Sequence, residues 1–93
     1  MSVSDDAFLG GRLNILQPLK GYRAGLDAVM LAAAVRGRGG APFRVLDVGA
    51  GVGTAGLSVA WRCPEATVVL LEREPDLVAL ARENIARNGL GER

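Results

Sequence analysis

The run Val45-Leu46-Asp47-Val48-Gly49-Ala50-Gly51-Val52-Gly53-Thr54 settles the architecture of this chain. It belongs to an apolar segment, Phe43 to Val48, with little alternation. A strand of that composition fits a parallel sheet buried on both faces by helices. Three alternating glycines follow, Gly49, Gly51 and Gly53, and then Thr54 to Trp61, which reads as a helix stopping before Pro64. Glycine in a strand-to-helix turn lets the backbone take positive φ and lets a ligand lie against it. The first amides of the following helix then face that ligand.

Working outward, Ala66 to Leu71 is a second β-branched and apolar strand, closed by Glu72. Pro75 and Asp76 suit the opening of a helix, where proline loses no needed hydrogen bond and an acid complements the dipole. Leu77, Leu80, Ala81 and Ile85 form its apolar stripe, and Gly89 supplies a stop. Asn84 falls near that stripe and reads as a buried hydrogen-bonding residue. Towards the N-terminus, Asp27 suits a helix N-cap, with Leu26, Val29, Met30 and Ala33 at helical spacing and Gly37, Gly39 and Gly40 beyond them. Phe8 to Gly25, broken by Gly10, Gly11, Pro18 and Gly21, reads as short extended pieces or a hairpin. Met1 to Asp6 is polar and is expected to be frayed. The class is therefore α/β, with a βαβ unit whose crossover is expected to be right-handed. A lead-in over residues 1–40 precedes a βαβα unit over residues 41–93.

Composition narrows the function. The chain has 93 residues, enough for one domain, and 49% are hydrophobic and 23% charged, as in an ordinary globular protein. A net charge of +1 gives no excess of cation for a free-standing nucleic-acid module. Cys63 is the single cysteine and there is no histidine, so neither an internal disulfide nor a zinc site is expected. A cytoplasmic setting fits this cysteine usage. The longest apolar stretch, Ala28 to Val35, is far below the ~20 residues of a membrane span. Cys63 and Trp61 read as an inert thiol and a core-packing side chain.

The glycine loop by itself serves two ligand classes. Gly51, Gly53 and Gly56 satisfy Gly-x-Gly-x-x-Gly, and Glu72 lies about 20 positions on, where a dinucleotide-binding fold places the acid that holds ribose hydroxyls. An NAD(P)- or FAD-binding fragment of an oxidoreductase is thus one reading. Asp47 weighs against it. A carboxylate two residues before the first glycine repels a pyrophosphate but holds a cation, and S-adenosylmethionine carries an α-ammonium and a sulfonium. Plainer roles exist: Asp47 as a cap for neighbouring amides, and Glu72 as a solvated charge beside Arg73 and Glu74.

The Asp47, Gly49-x-Gly51-x-Gly53 and Glu72 pattern resembles the first two motifs of class I S-adenosylmethionine-dependent methyltransferases. Phe8-Leu9-Gly10-Gly11-Arg12, Gln17 to Ala28 with its Gly21-Tyr22-Arg23 and Asp27, and Leu80-Ala81-Arg82-Glu83-Asn84 are similar to bacterial tRNA(valine) adenine-N6 methyltransferases over about Phe8 to Leu90. The resemblance implies the N-terminal part of a Rossmann-like, doubly wound, mostly parallel sheet. It implies transfer of a methyl group to the exocyclic amine of an adenine in tRNA. Asp47, Gly49, Ala50, Gly51 and Gly53 would line the methionine portion, Glu72 with its neighbour Arg73 the ribose, and Tyr22, Arg23 and Asp27 the rim. The family's Asn-Pro-Pro-Tyr-like motif is absent and the chain stops where a third strand is expected, so no catalytic residue is assigned. A truncated, non-catalytic or partner-dependent product is the remaining alternative, and low stability or aggregation of the chain alone is expected.

Overall fold

The computed structural model describes residues 2–20, 26–37 and 39–91. The elements are β1 (Val3–Phe8), β2 (Leu13–Pro18), α1 (Leu26–Ala33), β3 (Phe43–Val48), α2 (Thr54–Arg62), β4 (Ala66–Leu71) and α3 (Pro75–Arg87). The fold is α/β, as expected. Strands β3 and β4 pair in parallel, from Phe43 opposite Ala66 to Val48 opposite Leu71, with α2 as the connection between them.

One face of that pair is covered. Leu57 and Ala60 of α2 pack near Val68 and Leu70, while Val59 and Cys63 pack with Ala66, Phe43 and Val45. Close approach of helix and sheet depends on Gly56: a Cβ there would meet Leu70 Cδ2 at 2.4 Å and Val68 Cγ1 at 3.1 Å. The other face differs from expectation. Leu46, Val48, Val69 and Leu71 are 61, 69, 52 and 54% exposed. The expectation of burial on both faces therefore fails among the described residues. The apolar run reflects side chains on both sides of the sheet, but α2 can cover only one of them.

The N-terminal segment is more ordered than its polarity implies. Met1 to Asp6 was expected to fray, yet Val3 to Asp6 lie within β1, paired antiparallel with β2 from Val3 opposite Pro18 to Phe8 opposite Leu13. Polar partners account for this. Asp6 accepts hydrogen bonds from Ser4 Oγ and Gln17 Nε2, each at 2.7 Å, and Asp5 pairs with Arg87 at 2.5 Å. The hairpin turns through Leu9 to Arg12, where Gly11 N donates to Phe8 O. Leu13 and Ile15 are fully buried in the main core with Val52, Leu57, Ala60 and Leu90.

Two further expectations are corrected. Asp27 lies within the first turn of α1, which begins at Leu26, rather than capping it. That helix buries Ala32, packed with Val59 and Cys63 of the second cluster, and leaves Met30 and Leu31 63 and 64% exposed. Trp61 is 42% exposed instead of forming core, with the Arg12 guanidinium 5.4 Å from its ring centroid. A tryptophan on the outer side of α2 gains a cation–π contact while remaining partly in solvent. Cys63 is buried, as expected of an inert thiol.

Candidate functional site

The glycine loop is built at the carboxyl ends of both strands of the parallel pair. Gly49 N and Ala50 N both donate to Leu71 O, at 2.9 and 3.0 Å, so the end of β4 sets where the loop leaves β3. Gly49, Gly51 and Gly53 have φ of 71, 59 and 97°, in the left-handed region that side chains disfavour. Gly53 is further constrained by packing, since a Cβ there would meet Leu70 Cδ1 at 2.9 Å. It precedes the first residue of α2 and has no side chain with which to cap it.

Asp47 supplies the missing cap from another element. Its Oδ2 accepts a hydrogen bond of 3.1 Å from Gly56 N, in the first turn of α2. Half-burial at the carboxyl end of β3 pushes the carboxyl above its ordinary pKa, and the Gly56 bond offsets only part of that rise. The ionised form is thus held where solvation is incomplete, which favours a cation as neighbour. Glu72 stands at the opposite limit. Its Oε1 accepts from Gly51 N at 2.8 Å and its Oε2 from Glu74 N at 3.0 Å. Those bonds, with the Glu74 amide foremost, lower its pKa. It is a brace of the glycine loop, beyond the solvated charge that its neighbours imply.

A cleft of about 530 Å³ opens along this loop, within the range of small-molecule sites, roughly 300–1,000 Å³. Of the residues singled out from sequence, Asp27, Asp47, Gly49, Ala50, Gly51 and Glu72 line it. Gly53 lies behind the loop against Leu57 and Leu70. Arg73 is turned outwards, with a side chain 94% exposed and 3.9 Å from Glu74. Tyr22 and Arg23 lie outside the described residues. Sequence reasoning missed the part that the hairpin adds to the lining, Gln17, Pro18 and Lys20 at the end of β2 and just beyond it. The available signal was Gln17, a polar residue at the end of the alternating Leu13, Ile15, Gln17 pattern, buried to 2% exposure.

Residues 28–92 match the family model of the methyltransferase small domain. The chain belongs to this family. It is 34% identical over 90 residues to a tRNA1(Val) (adenine(37)-N6)-methyltransferase of Porphyromonas gingivalis, covering 95% of this chain and 35% of that protein. It is also 45% identical over 47 residues to a release factor glutamine methyltransferase of Deinococcus radiodurans, covering 50% of this chain and 17% of that protein. The protein of that name from Escherichia coli is 40% identical over 43 residues, 46% of this chain and 16% of its own length. The chain thus spans about a third or less of these relatives. Family membership makes this a methyltransferase small domain. Among the described residues no helix is long and apolar enough to cross a membrane, and no cluster of three potential metal ligands forms.

Proposed function

We propose that this chain binds S-adenosylmethionine and forms the donor-binding part of a methyltransferase acting on the exocyclic amine of adenine in tRNA. The observation that carries the donor reading is Asp47: a half-buried carboxylate with a raised pKa, on the wall of a cleft that Glu72 also lines. An α-ammonium group beside Asp47 would stabilise the ionised form that burial disfavours. Glu72 has lone pairs left for ribose hydroxyls after accepting its two amides. The glycines Gly49 and Gly51 keep the floor of the cleft free of side chains, and Asp27 adds a third carboxylate to its wall. The donor's chemistry is an electrophilic methyl on sulfonium sulfur.

The adenine and tRNA assignment rests on coverage. The Porphyromonas gingivalis relative matches over 90 residues, which includes the hairpin wall. A match over 47 residues, as for the glutamine methyltransferase, is too short to hold both β2 and Glu72. A release-factor glutamine is the second acceptor, favoured by the higher identity of that shorter match. The 93 residues contain no Asn-Pro-Pro sequence to hold an acceptor amine. On this reading the activity of the chain by itself is donor binding without methyl transfer.

Adenosine and S-adenosylhomocysteine separate the two carboxylates. Asp47→Ala should weaken S-adenosylhomocysteine about tenfold or more, the scale of one lost charge-assisted bond, and leave adenosine within about twofold. Equal losses for both ligands, measured by calorimetry, would remove Asp47 from the ammonium site.

A further inference from the structure

The free edge of the hairpin is closed by two side chains, Asn84 of α3 and Asn88 at its C-cap. In β2, Leu13, Ile15 and Gln17 bury their side chains, while the backbone groups of Asn14 and Leu16 face away from β1 towards α3. Asn88 Oδ1 accepts from Asn14 N and its Nδ2 donates to Asn14 O, both at 2.9 Å. One helical turn earlier, Asn84 Oδ1 accepts from Leu16 N at 2.8 Å and its Nδ2 donates to Leu16 O at 3.0 Å. Each amide thus reproduces the pair of bonds a neighbouring strand would make. Residues four apart on a helix share a face, so α3 presents both to the same strand edge.

Asn84 does one thing that Asn88 does not. Its Nδ2 also donates to Val52 O at 3.0 Å, inside the glycine loop. Asn84 is fully buried, and Val52 lines the cleft. Leu16 leads directly into Gln17 and Pro18, which also line the cleft. A single side-chain amide therefore joins two elements that line the cleft, the glycine loop and the hairpin, using both of its donor hydrogens and an acceptor lone pair.

We propose that Asn84 is a positioning residue: it holds the glycine loop in its ligand-receiving shape and couples that loop to the hairpin wall, so that a ligand gripped by the loop also tightens the hairpin. The ligand part of this statement rests on the donor-binding reading; the positioning part does not. Replacing the amide by a group that cannot donate takes this donor from the Val52 carbonyl, in a buried bond, and from the Leu16 carbonyl, in a part-buried one, a loss that acts at the loop and at the hairpin together. Replacing Asn88 removes its bonds to Asn14 and to the Asn84 carbonyl, at 2.8 Å, and none to the glycine loop.

Amide hydrogen exchange, resolved by NMR on the full chain, separates the two. Without ligand, Asn84→Asp should speed exchange of the Gly51 and Gly53 amides by about tenfold or more, whereas Asn88→Ala, which removes the acceptor of the Asn14 amide, should speed Asn14 and leave the loop unchanged. Equal behaviour of the loop in both variants overturns the proposal and leaves Asn84 a hairpin anchor only. If Asn84→Asp does not fold, the wild-type chain decides the matter. S-adenosylhomocysteine should shift the Asn84 side-chain NH2 resonances and slow exchange at Leu16, with Asn88 and Asn14 unmoved. A ligand that binds without moving the Asn84 resonances overturns the coupling. Failure of S-adenosylhomocysteine to bind the wild type counts against the donor reading, and the ligand-free exchange comparison then decides the positioning role.

Discussion

The two faces of the β3–β4 pair are made of nearly the same kinds of residue and meet different fates. Phe43, Val45, Val68 and Leu70 lie on the side taken by α2 and join its clusters. Leu46, Val48, Val69 and Leu71 alternate with them and stay more than half exposed. Hydrophobicity alone therefore does not say which face a helix covers. What distinguishes the covered face is accommodation: Ala66 on the sheet and Gly56 and Ala60 on the helix let the backbones approach. The site follows the same division, because Asp47 belongs to the covered face and reaches the first turn of α2 from there.

Substitutions on the two faces should differ by about an order of magnitude. Leu57→Ala, on the sheet-facing side of α2 at 3% exposure, should cost about 2–5 kcal/mol. That is comparable to the whole stability of a small domain, so denaturant titration should show loss of most of the folded population. Gly56→Ala comes next. The added methyl meets Leu70 and Asp47 Oδ2, the latter at 3.1 Å, and overpacking of about 1–3 kcal/mol is partly offset by about 1 kcal/mol of helix propensity. A thermal melt should fall by several degrees, and an unchanged melt would show that helix and sheet have room to part. Leu46→Thr on the bare face should shift stability by no more than about 0.5 kcal/mol. A larger loss in that variant would mean that the face is covered in solution.

The two carboxylates sharpen the comparison through pH. Burial raises Asp47, so the folded state holds its proton more tightly than the unfolded chain, and the resulting contribution to stability is lost as pH rises through the folded pKa. Backbone bonds lower Glu72, so its contribution is present above the unfolded value and lost as pH falls through the folded one. Across the carboxylate range, Asp47→Asn should gain stability relative to the parent chain as pH rises, and Glu72→Gln should lose it. Urea titrations at a series of pH values check both signs.

Much of this was legible beforehand because it is local. The bounds of β3 and β4 follow from apolar runs bracketed by glycine and proline, and Asn84 was readable as a buried hydrogen-bonding residue from its place beside the apolar stripe. Non-local chemistry was not legible. Val3 to Asp6 read as frayed because Asp5 and Asp6 look like solvated charge, whereas pairing with β2 and contacts with Arg87 and Gln17 order them. Trp61 read as core because size and apolarity do not reveal which side of a helix faces Arg12. In the site, the loop and both acids were visible as a motif, whereas Gln17 and Lys20 join the cleft only through the packing of the hairpin.

Calorimetric titration of the chain with S-adenosylhomocysteine and, separately, with NADH tests the central claim most directly. Both ligands carry an adenosine, which on the proposed reading Glu72 would hold, but only the first would bring an ammonium to Asp47, and the second would bring a pyrophosphate instead. Saturable binding of S-adenosylhomocysteine with no heat from NADH is the predicted result. Binding of NADH, or its displacement of bound S-adenosylhomocysteine at comparable concentration, would contradict a methyl-donor site built on Asp47.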